Sequence, residues 1–406
     1  MESFSDKLKK IEPDVLGGAA VSIQSVPRRQ KVIQPNEALE LITSRIGDVP
    51  RLNLRTRYVE IHGQAKTADD ISRFYLKLDN ANERWNKGLV EDVIHHIANE
   101  NRFDPVSVYL HNLSKTSPLD DEKWENLDQF LFNIEDEITK KYMKRFLVAA
   151  VKRVEEPACI VRQLPVLIGP QNIGKTELGK ALFSPAFYGS GVSGKFDVDD
   201  ITKLERVWCL ELGELDGITR KSQIEAFKAF ISETKDISRR KYGKGMEDIP
   251  RRSIFWASSN AAPLNDPTGS TRFVCIPLPN KKLPFQRVAN NRDSIWHRAY
   301  LEYKKGYQCY STDQEMEEIL YRNGDFEQVD PWYEDLRRYV EKYSTKQVLY
   351  TEDLFKEIGL VETYQINNAA NVRLKNVMRQ LGWGYKRRMI KGDQIRGYWP
   401  LPTSPP

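Results

Sequence analysis

At 406 residues the chain is too long for one simple core, so about two to four domains are expected. Charged residues at 29% and aromatics at 10% are the balance of a folded soluble protein and exclude a disordered chain. The net charge of +5 permits contact with nucleic acid without arguing for it, so the distribution of basic residues matters more than their sum. No run reaches the ~18 to 20 apolar residues of a membrane span. The N-terminus has no apolar signal stretch either, so no membrane partner is expected.

Residues 1–50 are weakly patterned, with Gly17-Gly18 and Pro27-Arg28-Arg29, and read as a peripheral lead-in. Leu54 to Ile61 is strand-like, and Val90, Val93, Ile94 and Ile97 follow at helical spacing, which predicts a small α+β module over 51–120. Asp121 to Glu155 is expected to be largely helical, a collar with Tyr142, Phe146, Leu147 and Ala150 on one face. From 156 to 310 apolar runs alternate with helical patterns, the signature of a sheet with helices on its faces. Residues 121–310 are therefore read as the collar plus a nucleotide-binding core, and residues 331–406 as a separate module with a proline-rich tail. Cys159, Cys209, Cys275 and Cys309 lack C-x-x-C spacing and read as reduced thiols of a cytoplasmic protein.

Gly169-Pro170-Gln171-Asn172-Ile173-Gly174-Lys175-Thr176 matches the phosphate-cradling pattern G-x-x-x-x-G-K-[ST] at every fixed position. Its flanks are those the chemistry needs. The apolar run Leu164 to Ile168 predicts a buried strand, and Leu178, Ala181 and Leu182 predict a helix. The glycines let backbone N–H groups approach phosphate oxygens, and the helix N-terminus, continuing to Glu177, adds positive potential. Lys175 is expected to reach the β/γ-phosphates of ATP, and the Thr176 hydroxyl to ligate Mg2+.

Val207 to Leu210 is an apolar run ending at Glu211, with Glu214 three residues on. One acid is expected to hold the metal and the other to orient the attacking water, the division between them left open. Ile254 to Ala257 ends in Ser258-Ser259-Asn260, where an amide is placed to hold that water. Arg272 follows, on a loop from which an arginine can reach a neighbouring subunit's γ-phosphate, with Arg251 and Arg252 as alternatives. Between these lies a basic turn with Lys241, Tyr242 and Lys244, the charge and aromatic combination that single strands favour.

In the last module Leu374, Val377, Met378 and Leu381 form a helical apolar face. Two strand-like runs then flank Lys391-Gly392-Asp393, so helix and basic hairpin read as a winged helix. Arg373, Arg379, Arg387, Arg388 and Lys391 are its candidate DNA contacts, and Trp383 and Trp399 read as core.

The order G-P-Q-x-x-G-K-T, W-x-x-E-L-x-E-L, K-x-F-I-S, Y-G-K, P-R, S-N and D-P-T-G-x-x-R-F, from about Phe103 to Pro279, resembles the virulence-associated protein E family. These are ATPases of phages, mobile islands and bacteria, similar to superfamily 3 replicative helicases. The resemblance implies an α/β P-loop (AAA+-like) core and a homo-oligomer, a hexameric ring gripping DNA in its channel. By it, Lys175 and Thr176 match the Walker A pair, Glu211 the Walker B acid, Asn260 the sensor and Arg272 the arginine finger. Lys228 matches the motif ahead of the channel hairpin. Superfamily 3 members usually carry two adjacent Walker B acids; here Leu212 follows Glu211. The expected function is an ATP-dependent DNA helicase in replication of a phage or mobile element, with single- and double-stranded DNA and replication proteins as partners. The alternatives are an ATP-switched initiator or loader that does not unwind, and a defence ATPase that senses nucleic acid.

Overall fold

The computed structural model describes residues 30–80, 82–192, 196–213, 221–239, 246–260, 271–326, 331–343, 348–360, 366–390 and 393–401. The chain divides into two compact units, Met1–Phe103 and Asp104–Pro406.

The first unit begins earlier in sequence than expected. The helix Pro35–Ile46 starts with a capping box between Gln34 and Glu37 and buries Ala38 and Ile42. These join Ile33, Val59, Ile61, Val90, Val93 and Ile94 in one core, so residues 33–46 are part of a packed unit and not a peripheral lead-in. The expected strand over 54–61 is also interrupted. The Asn53 side chain accepts from the amides of Arg55 and Thr56, at 2.9 and 3.1 Å. That turn leaves only Arg51–Leu52 and Val59–Ile61 as strands. The expected end at 120 also moves, because Val106, Leu110, Leu113 and Leu119 pack into the core of the second unit.

That second unit is built on a five-stranded sheet: β1 (Leu164–Ile168), β2 (Tyr188–Gly189), β3 (Cys209–Leu212), β4 (Ile254–Ser259) and β5 (Phe273–Pro277). Its order is β5-β1-β4-β3-β2, and every neighbouring pair is parallel. All residues of β1, β3 and β4 are buried, as parallel strands covered on both faces must be. The strand period then assigns the faces. Leu164, Val166 and Ile168 meet Phe227, Phe230 and Ile231 of the helix α3 (Lys221–Ser232). Leu167, Trp208 and Trp256 face the helices α1 (Glu137–Glu155) and α2 (Lys175–Phe183).

An aromatic cluster fixes α2 on that second face. The rings of Phe183 and Trp208 meet edge to face at 5.3 Å, and those of Trp208 and Trp296 lie 4.1 Å apart. Both indoles are satisfied: Trp208 Nε1 donates to the Ala150 carbonyl at 3.1 Å and Trp296 Nε1 to the Leu182 carbonyl at 2.7 Å. The second of these bonds anchors the far end of α2.

Between α3 and β4 runs an antiparallel pair, Lys235–Arg239 with Met246–Pro250. The last part of the chain comprises helices Tyr333–Lys342, Thr351–Glu357 and Asn368–Gln380, followed by the antiparallel strands Trp383–Ile390 and Asp393–Pro400. Leu349 bridges to Tyr398 beside them. Leu374, Val377 and Met378 are buried in its core with Trp383, and Trp399 is buried as well, in keeping with their reading as packing groups.

Candidate nucleotide and nucleic-acid sites

The sheet order decides where a ligand fits. From β1 the chain crosses to the β2 edge and returns through β3 and β4, and only then places β5 on the other side of β1. Ligands bind outside the carboxyl ends of strands at such a switch. The Gly-rich loop leaves β1 at that place. Gly169 donates its N–H to the Ser259 carbonyl at 3.2 Å, tying the loop to the end of β4. A Cβ on Gly169 would lie 3.0 Å from Leu278 Cβ and 3.1 Å from Ile173 Cδ1, so a larger residue would have to push these neighbours aside. Gly174, at φ +98°, is required by conformation. It caps α2 with no side chain bonded to the first amides, the arrangement that leaves helix N–H groups for an anion.

Lys175, Thr176, Glu211 and Asn260, all singled out by sequence, converge here. Lys175 Nζ donates to the carbonyls of Gly169 and Pro170, at 2.5 and 2.9 Å, and to Asn260 Oδ1 at 3.0 Å. Thr176 Oγ1 donates to Glu211 Oε1 at 3.0 Å. Glu211 is buried at 3% exposure and accepts a second bond from Ser258 Oγ at 2.9 Å. The loop, β3 and β4 thus share one hydrogen-bonded network. Its hydroxyl and carboxylate are hard oxygen donors, the chemistry that suits Mg2+, which keeps several waters and takes phosphate oxygens as further ligands. Burial raises the pKa of the Cys209 thiol and the Tyr188 phenol well above their ordinary values, so both pack as neutral groups beside the acid.

Arg272 lies elsewhere. It precedes β5, whose Phe273 pairs with Leu164 at the start of β1, whereas the Gly-rich loop follows Ile168 at the strand's other end. At a strand rise of about 3.3 Å per residue, the two are roughly 20 Å apart along the sheet. Arg272 is half-buried, lines a cavity of about 630 Å3 with Arg162, Lys152 and Tyr310, and donates from Nε to Ser232 Oγ at 2.8 Å.

Arg251 is removed as an alternative to Arg272. It is 3% exposed, and its Nε and one terminal nitrogen meet the two oxygens of Asp236 at 2.6 and 2.5 Å. Its other terminal nitrogen donates to the Phe230 carbonyl, so the guanidinium is consumed inside the protein. Arg252 Nε lies 3.7 Å from Asp104. Arg153, which donates to the Glu233 carbonyl at 3.0 Å, is another buried arginine at this end, and desolvation pushes its pKa down to about 10.

In the last module Arg373 stacks over the Trp332 ring at 4.0 Å and Arg388 over the Trp399 ring at 4.8 Å. Arg379 and Arg387 are exposed, and Arg387 pairs directly across the strands with Arg396. Glu214, Lys241, Tyr242, Lys244 and Lys391 lie outside the described residues.

Two contacts of the candidate residues were missed by sequence reasoning. Ser258 was visible beside Asn260, but the alternation that turns it onto Glu211 depends on the register of β4 with β3. Ser232 was visible in the motif K-x-F-I-S, but nothing local says that it meets Arg272, 40 residues away.

A parallel α/β sheet carrying a Gly-rich phosphate pattern at its switch point is the class that fold and site define. Residues 116–328 match the virulence-associated protein E-like domain, just over half of the chain. The protein belongs to that family. No curated protein matches it. Among solved structures it is similar to the A-form apo structure of the NrS-1 C-terminal region, at 13% identity and a TM-score of 0.47 over 91% of this chain and 100% of that one. It is also similar to another apo structure of that region, at 15% identity and a TM-score of 0.41 over 71% of this chain and 78% of that one. Among the described residues no helix is long and apolar enough to cross a membrane.

Proposed function

We propose that this protein is an ATP-hydrolysing DNA motor, a helicase of phage or mobile-element replication, working as a homo-oligomeric ring. The observation that carries this reading is the network at the carboxyl ends of β1, β3 and β4: Lys175 on Asn260, and Thr176 with Ser258 on Glu211. Phosphate oxygens of ATP would replace the carbonyls that Lys175 now meets, with the α2 amides completing the cradle. Magnesium, held by Thr176 and Glu211, would neutralise charge on the β/γ-phosphates when bound. Glu211 and Asn260 are the groups positioned to orient a water, with Glu214 assigned to the same task.

Arg272 is too far from its own loop to serve it. That supports a role on the loop of a neighbouring copy, where its guanidinium would stabilise charge in the transition state. The last module supports binding to DNA. Its helix-then-hairpin order fits a winged helix, and like charges facing across a hairpin, as Arg387 and Arg396 do, cost stability unless an anion lies between them.

The test is strand separation on a forked duplex. Unwinding that requires ATP and Mg2+ and disappears in Lys175→Ala is the expected result. ATP hydrolysis and duplex binding without strand separation would transfer the assignment to an initiator or loader.

A further inference from the structure

Ser232 ends α3, and the chain enters the strand Lys235–Arg239 three residues later. Its hydroxyl does two things at once. It accepts from Arg272 Nε at 2.8 Å and donates to the Lys228 carbonyl at 2.6 Å, within its own helix. The bond engages Nε, and the two terminal nitrogens of the guanidinium carry the fork that matches a phosphate.

The segment that Ser232 belongs to is tied down on its other sides by arginines. Arg153 donates to the Glu233 carbonyl at 3.0 Å, and Arg251 to the Phe230 carbonyl. The Arg251 backbone N–H donates to the Thr234 carbonyl at 2.9 Å. Arg251 also clamps Asp236, itself 6% exposed, on the first strand of the antiparallel pair. The end of α3 and the base of that pair are therefore one fixed body. Buried, doubly bonded ion pairs of this kind resist partial displacement, because moving one partner strands the other's charge.

We propose that Ser232 is a positioning residue for Arg272 and joins it to the base of the antiparallel pair 235–239 and 246–250. An arginine drawn toward a neighbour's phosphate then pulls on the helix end that carries this pair, and a load on the pair displaces the arginine. The proposal rests on the reading of Arg272 as acting across an interface. It accounts for the K-x-F-I-S motif from its own residues: Lys228 supplies the carbonyl, Phe230 and Ile231 the packing, and Ser232 the hydroxyl that meets the arginine.

The experiment uses the full chain and measures ATP hydrolysis with and without single-stranded DNA, together with affinity for a fluorescent ATP analogue. Ser232→Ala is expected to lower kcat by about 10- to 100-fold, the scale on which a misplaced reacting group costs rate. Analogue affinity should be unchanged, and acceleration by DNA should be lost. Ser232→Thr, which keeps the hydroxyl, should restore both. In the Arg272→Ala background, Ser232→Ala should add no further loss, because the two residues act as one unit. Wild-type kcat with wild-type DNA acceleration in Ser232→Ala would overturn the link, as would a loss that is fully additive with Arg272→Ala. A Ser232→Ala protein that fails to fold leaves Ser232→Thr and Ser232→Cys to decide: the first must keep DNA acceleration and the second must lose it. Arg272→Ala hydrolysing ATP normally would remove the reading on which the link depends, and this outcome is distinct from failure of the serine alone.

Discussion

The two ends of the parallel sheet are built from opposite materials. At the carboxyl end a lysine, a threonine, a serine, an asparagine and a glutamate hydrogen-bond to one another around a loop that follows β1. At the amino end the dominant groups are the arginines Arg251, Arg153 and Arg272, each bonded to the last residues of α3 or to the residue just after it. The first end presents oxygen acceptors and amides suited to a phosphate and its metal. The second presents guanidinium groups, of which Arg251 is closed on Asp236 and Arg272 lines a cavity. On the proposed reading, a single chain holds two complementary half-sites that it cannot bring together.

Lys175→Ala should break the carboxyl end outright, with ATP hydrolysis falling by at least about 10^3-fold in a steady-state phosphate-release assay. Arg272→Ala should break the amino end by about the same 10^3-fold factor, the scale of an arginine finger. Mixing the two variants should recover activity, since each supplies the half the other lacks; no recovery at any ratio would collapse the contrast between the ends. Asp236→Ala leaves Arg251 buried and unpaired and should cost about 3–5 kcal/mol in urea unfolding. It separates the structural arginine of the amino end from the one proposed to act on a neighbouring copy. Glu211→Gln should slow hydrolysis by about 10^2-fold while nucleotide still binds, as measured by analogue fluorescence. Smallest is Arg387→Ala, which should weaken duplex binding a few-fold at every sequence. The salt slope should fall by about one unit, with hydrolysis without DNA unaltered at both sheet ends.

Much of the carboxyl end was legible because its signals are local. The glycine pattern, the apolar run before it and the helical spacing after it lie within a short stretch. Glu211 and Asn260 were readable as strand-end polar residues on the same logic. The amino end was legible only in pieces. Arg272 and Arg251 both stand as basic residues before a strand, and only the fold distinguishes the one closed on Asp236 from the one that lines a cavity. The lead-in over 1–50 misled because its apolar stripe is short. Ala38 and Ile42 become core only when the distant helix residues Val90, Val93 and Ile94 pack with them. The break at Asn53 was hidden for a related reason, since one side-chain amide outweighed the β-propensity of the residues that follow it.

The separation of Arg272 from the Gly-rich loop has a consequence for counting. If Arg272 serves the loop of the next copy, as proposed, the contact joins one end of a copy to the other end of its neighbour; it is heterologous, head to tail, and cannot be made by a two-fold dimer. In an open row each added copy completes one site, but the terminal copies keep an orphaned loop at one end and an orphaned arginine at the other. Only closure completes as many sites as there are chains. Activity per chain should therefore climb with protein concentration and then stop at a plateau, and the plateau marks the concentration at which rows have closed.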